Sequence, residues 1–122
     1  MSLDNFEPVP VKPEISYDEL DKIDVRVGTI VSVDDVEGGD KRMKLTVDFG
    51  NHRRTILAAI KEERAHPGEI AGQQALFVVN LKPRRMLGQI SEGMLFDIGY
   101  ADGLMPRLAV PEVVVPDGTR AG

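Results

Sequence analysis

Three cationic side chains fall within four positions of the chain, where Lys82, Arg84 and Arg85 surround Pro83. A guanidinium group can donate two parallel hydrogen bonds to a phosphate, and an ammonium group adds a compact positive charge. The proline fixes its own φ and favours an extended backbone at Lys82, so this loop is stiff and loses little entropy when it binds. The segment therefore predicts a phosphate-binding loop, and a solvated charged loop is the competing interpretation.

Other polar residues extend this candidate site. Asn80 and Ser91 flank the cations and can hydrogen-bond either a sugar or base edge or the backbone of their own loop. Two adjacent pairs of cations also occur earlier in the chain. The candidate nucleic-acid-binding residues are Asn80, Lys82, Arg84, Arg85, Ser91, Lys41, Arg42, Arg53 and Arg54.

Charge is distributed unevenly along the chain. The formal net charge is −5, but residues 1–40, 41–90 and 91–122 carry −8, +6 and −3 respectively. A basic central segment between acidic ends can form a local positive face, which is the electrostatic footprint of nucleic-acid binding. A mixed, solvated surface is the alternative that charge alone leaves open.

Residues suited to catalysis are scarce. The chain has two histidines, His52 and His66, no cysteine, and no glycine-rich phosphate loop or spaced carboxylate motif. Neither a metal cage nor a nucleophile triad can be assembled from this set. We therefore predict a binding protein rather than an enzyme, with no metal and no cofactor.

Strands are the main elements that would position the candidate residues. Alternating apolar residues or short apolar runs predict strands at residues 23–33, 43–49, 53–58, 75–79 and 93–98. Gly28 inside the first strand indicates a bulge or a sharp bend. A helical turn is expected in residues 60–65. This pattern fits an all-β, five-stranded Greek-key barrel of the OB type.

In an OB barrel the binding face lies on strands 2 and 3, framed by the loops that join strands 1–2 and 4–5. The Lys41-Arg42 pair falls in the first of these loops, the cations of residues 82–85 fall in the second, and the Arg53-Arg54 pair opens strand 3. The fold therefore predicts that the cations collect at the binding face. Phe49, Phe77 and Phe96 are in phase with core residues, which favours backbone and shape contacts to folded RNA over base stacking.

The two ends of the chain differ from the barrel. Residues 1–13 contain three prolines and predict an extended arm, whereas residues 14–122 form the OB-fold domain, beginning with a capping box at Ser16 and Glu19 before a short helix. The C-terminal tail is expected to be irregular after a short strand in residues 104–110. Apolar residues in the helix and at positions 113–115 exceed what five strands can bury, which predicts a homodimer. The chain has no secretory signal and no apolar run of membrane-spanning length, so we expect a cytoplasmic protein without a membrane partner.

Four segments form a recognisable pattern when they are taken together. They are residues 24–30 (DVRVGTI), residues 40–41 (DK) with 45–48 (LTVD), residues 80–84 (NLKPR) and residues 91–95 (SEGML). In these segments, and broadly over residues 17–118, the chain resembles the structure-specific tRNA-binding domain, which occurs free as a small dimeric protein and appended to methionyl-tRNA synthetases. The resemblance implies an OB barrel, dimerisation and recognition of tRNA by shape, with an aminoacyl-tRNA synthetase as a further partner to consider.

The chain also resembles one branch of that family, the CsaA-type export chaperones, which bind unfolded polypeptides. The similarity lies in residues 48–50 (DFG), 83–85 (PRR) and 115–119 (VPDGT). The two alternatives differ in the chemistry of the ligand. Phosphate binding needs the cations, whereas peptide binding relies on apolar residues such as Met86, Leu87 and Ile90.

Overall fold

The computed structural model describes residues 5–61 and 64–122. Within these ranges the chain forms one short helix, α1 (Tyr17–Leu20), and eight strands: β1 (Val25–Asp35), β2 (Met43–Asp48), β3 (Arg53–Ala58), β4 (Gln74–Val78), β5 (Arg84–Met86), β6 (Gln89–Ser91), β7 (Met94–Leu95) and β8 (Arg120–Ala121). Two 3-10 turns lie at Pro67–Ile70 and Tyr100–Asp102. The helical turn predicted in residues 60–65 includes residues 62–63, which lie outside the described residues.

A curled antiparallel sheet forms the body of the protein, in the order β3-β2-β1-β4-β7. The long strand β1 pairs with β2 through its second half and with β4 through its first half, and the register shifts between Ile30 and Ser32. Such a bulge bends a strand so that it can serve both sides of a barrel. Gly28 precedes the bulge and permits close packing, since a Cβ there would lie 2.6 Å from Val47 Cγ1 and 2.8 Å from Phe49 Cε1. The predicted OB-type barrel is confirmed.

The core lies inside the curled sheet and consists of aliphatic side chains around two aromatic rings, those of Phe49 and Phe77. Its largest fully buried residues are Phe77, Ile30, Leu45, Ile56 and Val47. Phe49 packs edge-on against Phe77, with ring centroids 5.6 Å apart. Phe96, however, is 47% exposed. Its predicted place in the core is wrong because β7 ends at Leu95, and Phe96 follows the last paired residue.

The barrel closes where residues 91–93 meet β3. The Glu92 backbone N–H donates to the Thr55 carbonyl oxygen at 2.8 Å, and the Thr55 backbone N–H donates to Glu92 Oε1 at 3.1 Å. Gly93 follows with φ of +151°, and a Cβ at this position would lie 2.9 Å from the Val78 carbonyl oxygen. We call this closure between residues 91–93 and β3 the seam. There the Glu92 carboxylate accepts a hydrogen bond from the Thr55 backbone N–H that a neighbouring strand would otherwise accept.

Three predictions about the second half of the chain need correction. The cationic segment is a β-hairpin rather than an open loop, because β5 pairs with β6 through Arg84–Ser91, Arg85–Ile90 and Met86–Gln89. The fifth barrel strand is short, and the predicted strand over residues 104–110 is reduced to a single bridge between Ile98 and Arg107.

The N-terminal helix and the C-terminal tail differ in how they contact the barrel. The capping box predicted before α1 is confirmed, but α1 buries no residue. The C-terminal tail, by contrast, lies along β1, and its strand β8 pairs with the start of β1. The Gly118 N–H donates to the Val27 carbonyl oxygen at 2.7 Å, and the Val27 N–H donates to the Thr119 carbonyl oxygen at 2.8 Å. No helix in the described part of the chain is both long enough and apolar enough to cross a membrane.

Candidate nucleic-acid interface

Three exposed cations of the candidate site lie on the β5–β6 hairpin and in the short segment just before it. Lys82, Arg84 and Arg85 are all solvent-exposed. The hairpin turns through Leu87 and Gly88, whose φ angles of +52° and +72° are those of the two-residue turn that matches the twist of the strands. Among the described non-glycine residues, only Leu87 has positive φ. A branched side chain in this conformation is strained, so the surrounding contacts must hold it.

Those contacts come from the loop between β1 and β2. A Cβ built on Gly39 would lie 3.4 Å from Leu87 Cδ1, and one built on Gly38 would lie 3.7 Å from Leu87 Cδ2, so the leucine methyl groups rest on this glycine pair. Gly39 is also required for the loop itself, because a Cβ there would approach the Arg42 carbonyl oxygen to 2.8 Å. We call this contact of Leu87 with Gly38 and Gly39 the clasp. It joins the two loops that frame the binding face of an OB barrel.

Beside the clasp lies a groove of about 560 Å³, bounded by the end of β3, the β5–β6 hairpin, β7 and the second 3-10 turn. Arg42, Lys82 and Arg84 line it together with mainly apolar side chains such as Met86, and Ser91 lies in its wall. None of these three cations has a carboxylate at ion-pair distance within residues 5–61 and 64–122. An unpaired positive rim over an apolar floor suits an anionic ligand that also has an apolar part.

The neutral polar residues of the predicted site have structural partners. Asn80 accepts a hydrogen bond from the Asp24 backbone N–H at 2.9 Å and donates to the Lys22 carbonyl oxygen at 2.6 Å, which fixes the chain between α1 and β1. Ser91 is 4% exposed; its Oγ accepts from the Leu57 backbone N–H and donates to the Gly93 carbonyl oxygen, both at 3.1 Å. Each of these two side chains therefore forms its hydrogen bonds with backbone N–H and carbonyl groups.

The remaining predicted cations are divided between the two ends of β3. Arg54 Nη1 donates to the carbonyl oxygens of Val79 at 2.6 Å and Glu92 at 3.0 Å, which ties β3 to the seam of the barrel. Its Nε donates to His52 Nε2 at 3.1 Å. Arg53 is exposed beside Arg54, at the end of β3 opposite the groove, while Lys41 is exposed next to Arg42 in the β1–β2 loop. The structure thus brings Arg42 to the hairpin cations and leaves Arg53 and Arg54 apart from them.

An ion pair near Arg54 was not predicted from the sequence. Arg26 donates from Nε and Nη2 to the two carboxylate oxygens of Asp24, at 2.7 and 3.1 Å, and from Nη1 to the Gly118 carbonyl oxygen at 3.2 Å. The hydrogen bond from this guanidinium holds the pKa of Asp24 below its ordinary value and raises the pKa of Arg26. Asp24 lies just before β1, and its i, i+2 spacing from Arg26 in an extended chain was the available signal. The pair anchors the C-terminal tail.

Tyr100, the aromatic residue that lines the groove, was also not predicted from the sequence. Tyr100 lines the groove and is 53% exposed, at the start of a 3-10 turn whose first backbone N–H donates to Asp97 Oδ2 at 3.0 Å. The described residues contain no group of three His, Asp or Glu side chains arranged to hold a metal ion.

Comparison with known proteins points to one family. Residues 25–120 match the family described as "Putative tRNA binding domain". The crystal structure of a MetRS-related protein from Pyrococcus horikoshii is similar with a TM-score of 0.82 and 35% identity, over 91% of this chain and 100% of that one. Methionine–tRNA ligase from Parabacteroides distasonis is 36% identical over 117 residues, which make up 94% of this chain and 17% of that enzyme. The chain thus spans about one-sixth of the curated relatives that it matches.

Chaperones are also among the structural neighbours. The crystal structure of chaperone CsaA from Bacillus anthracis has a TM-score of 0.78 at 25% identity, and that of the CsaA chaperone protein from Picrophilus torridus has a TM-score of 0.76 at 28% identity. These matches cover 90% and 89% of this chain and the whole of each chaperone chain.

Proposed function

Since the chain belongs to the tRNA-binding-domain family, we propose that it is a non-catalytic protein that binds folded tRNA through the cations of the β5–β6 hairpin and the adjoining Arg42. The observation that carries this proposal is the exposure of Lys82, Arg84 and Arg85 on a stiff hairpin, with no carboxylate at ion-pair distance among the described residues. Unpaired guanidinium groups on a preordered backbone bind phosphate without first breaking an internal ion pair. An aminoacyl-tRNA synthetase, as the relatives suggest, is a natural partner for such a domain.

The nine predicted site residues take different parts in this proposal. Arg42, Lys82, Arg84 and Arg85 would contact phosphates directly, and Lys41 and Arg53 would add to the positive field. Asn80, Ser91 and Arg54 are bound to backbone groups in the free protein, so we assign them the task of holding the hairpin and the barrel seam in place.

A salt titration tests the proposal. Each phosphate contact releases condensed counterions, so the logarithm of tRNA affinity should fall linearly with the logarithm of salt concentration. Replacing Lys82, Arg84 and Arg85 together by serine should weaken binding at low salt and reduce the magnitude of that slope by about 2 to 3. A matched control replaces by serine three exposed cations that do not line the groove, Lys12, Lys22 and Arg120. Equal losses in both variants, or a flat salt response of the parent protein, would contradict the assignment.

The histidines offer a second control. His52 and His66 have no ligand-binding role in this proposal, so changing both to alanine should leave tRNA affinity within about twofold of the parent value. Loss of binding in a variant with the native circular dichroism spectrum would reopen the catalytic and metal-binding alternatives.

A polypeptide-binding chaperone is the second candidate function. The largely apolar groove beside the hairpin and the likeness to two CsaA structures favour it. Leu87 and Ile90 are 39% and 50% exposed on the same hairpin. A permanently unfolded polypeptide, such as reduced and alkylated α-lactalbumin, should then bind with little dependence on salt, and Ile90→Ser should weaken it while tRNA binding persists.

A homodimer would explain the apolar residues that the barrel leaves uncovered. Val11 is 98% exposed in the N-terminal arm, and Val113 and Val114 are 72% and 84% exposed before the tail returns to β1. Sedimentation should detect a dimer at micromolar concentration, and Val113→Ser with Val114→Ser should weaken it. Point substitutions are preferable to removing residues 110–122, because that truncation would also remove β8 from the barrel. A monomeric parent protein would rule out this interface.

A further inference from the structure

The groove beside the hairpin combines an aromatic ring with three cations that have no carboxylate at ion-pair distance within residues 5–61 and 64–122. Tyr100 is half-exposed there, with Met86 and Met94 among the other lining residues. The ring is presented by a short 3-10 turn that the Asp97 side chain caps at the Tyr100 backbone N–H. By contrast, Phe49 and Phe77 are buried in the core. A partly exposed ring in a cavity that thioether side chains also line offers a platform on which a flat heterocycle can stack.

The charge of the groove indicates what accompanies that heterocycle. Arg42 comes from the β1–β2 loop, Lys82 from the segment before the hairpin and Arg84 from β5, so three elements bring cations to one cavity. The acidic residue that lines it is Asp97, which is engaged with the backbone of its own turn. This excess of positive charge matches an anion next to a flat group. An unfolded polypeptide does not present that combination regularly, whereas every nucleotide does.

Size agrees with the same class of ligand. A cavity of about 560 Å³ is within the range of small-molecule clefts and is larger than one apolar side chain needs. The groove also opens beside the hairpin, so an RNA whose backbone lies on the hairpin could place one unstacked nucleotide into it. RNA offers such nucleotides in loops and at single-stranded ends.

We propose that this groove is a nucleotide subsite, in which Tyr100 stacks on one unstacked base of the bound RNA while Arg42, Lys82 and Arg84 hold its phosphate. This inference rests on the proposed tRNA-binding function and adds base stacking to the phosphate and shape contacts assigned above. The subsite accepts any base, because stacking uses the ring face and is tolerant of sequence. It therefore contributes affinity for an exposed strand rather than a sequence code.

Methionine methyl groups report occupancy of the groove. Met86 and Met94 line it, while Met43 is 6% exposed in the core and serves as an internal reference. With ¹³C-methyl methionine in the full chain, titration with adenosine monophosphate should shift the Met86 and Met94 signals through the ring current of the base and leave Met43 unchanged. Inorganic phosphate should produce much smaller shifts, since it brings no ring.

The two tyrosines of the chain provide matched variants. Tyr100→Leu should weaken adenosine monophosphate binding roughly tenfold and should weaken tRNA binding while leaving its salt slope unchanged, because a stacking contact releases no counterions. Tyr17→Leu, on the exposed helix α1, should have neither effect.

The outcomes separate this inference from the proposed function. If tRNA binds with a steep salt dependence but adenosine monophosphate and tRNA leave the Met86 and Met94 signals unmoved, the subsite is refuted and the tRNA-binding proposal stands. If tRNA itself does not bind, the proposed function fails. If an unfolded polypeptide shifts these methyl signals and adenosine monophosphate does not, the groove is a peptide site and the inference is overturned.

Discussion

Leu87 provides a direct test of whether the clasp prepares the two basic loops for binding. Its positive φ strains the backbone by about 1 kcal/mol, and asparagine adopts this conformation with less strain. The side chain is 39% exposed, so the buried remainder contributes about 1 to 2 kcal/mol of apolar burial. In Leu87→Asn the relief of strain offsets much of the lost burial. We therefore expect the free energy of unfolding to fall by no more than about 1 kcal/mol.

Binding should respond more strongly than stability. Without the leucine methyl groups on Gly38 and Gly39, the β1–β2 loop and the hairpin are no longer held together, and RNA binding must order them. Fixing the backbone of a single residue costs about 1 to 2 kcal/mol. We expect Leu87→Asn to weaken tRNA binding about tenfold, because roughly 1.4 kcal/mol of additional ordering corresponds to a factor of ten.

Fluorescence anisotropy of labelled tRNA at one salt concentration measures the affinity, and urea unfolding followed by circular dichroism measures stability. Ile90→Asn is the matched control, since Ile90 is 50% exposed on the same hairpin and lies opposite Arg85, away from the turn. Leu87→Ala loses the burial and keeps the strain, so it should be the least stable of the three. The reasoning is refuted if Leu87→Asn binds tRNA as tightly as the parent protein, or no more weakly than Ile90→Asn does.

Three further predictions concern the barrel. Ser91→Ala leaves the buried Leu57 N–H without its acceptor and should lower the free energy of unfolding in urea by about 1 to 3 kcal/mol. Arg26 lowers the folded-state pKa of Asp24, so the pair stabilises the fold at pH values above the ordinary pKa of 3.8. Asp24→Asn should therefore lower Tm at neutral pH. The Tm values of the parent protein and of Asp24→Asn should converge as the pH falls below 3.8. Gly118→Ala combines positive φ with a contact between the new Cβ and the Phe49 carbonyl oxygen, and should destabilise by about 2 kcal/mol or more in the same urea assay.

The strands whose pattern reflects burial were predictable from the sequence. Alternation in β2 follows directly from one face packing inward, and the continuous apolar run of β4 follows from burial on both sides. In β1 the bulge interrupts the predicted alternation, so Ile30 is fully buried and Val31 is exposed. The β5–β6 hairpin was not predictable in this way. Its turn has leucine where asparagine or glycine is expected, and a tertiary contact with the β1–β2 loop stabilises that turn rather than local propensity.

Prediction of the site was limited by a similar difficulty. A cation in a loop is recognisable by type, and Lys82, Arg84 and Arg85 are exposed, as either solvated or ligand-binding cations would be. A neutral polar residue such as Asn80 or Ser91 is ambiguous, because the same atoms can bind a ligand or satisfy an unpaired backbone group. The ambiguity could have been reduced by asking which backbone groups a five-stranded barrel leaves unpaired at its seam, since those groups need side-chain partners.

The segment from Asn80 to Gly93 contains residues of very different chemistry because its ends and its middle have different roles. Between Asn80 and Gly93, the buried Ser91 and the backbone-bound Asn80 and Glu92 hold the two ends of the hairpin segment to the barrel. The cations lie between those ends and have no carboxylate partners among the described residues, so their charge is available to a ligand. Substitutions at the ends should therefore lower stability and affinity together, whereas substitutions of the cations should lower affinity alone. A cation variant that unfolds would contradict this assignment of roles. An Asn80→Ala protein that keeps full stability but no longer binds tRNA would contradict it as well.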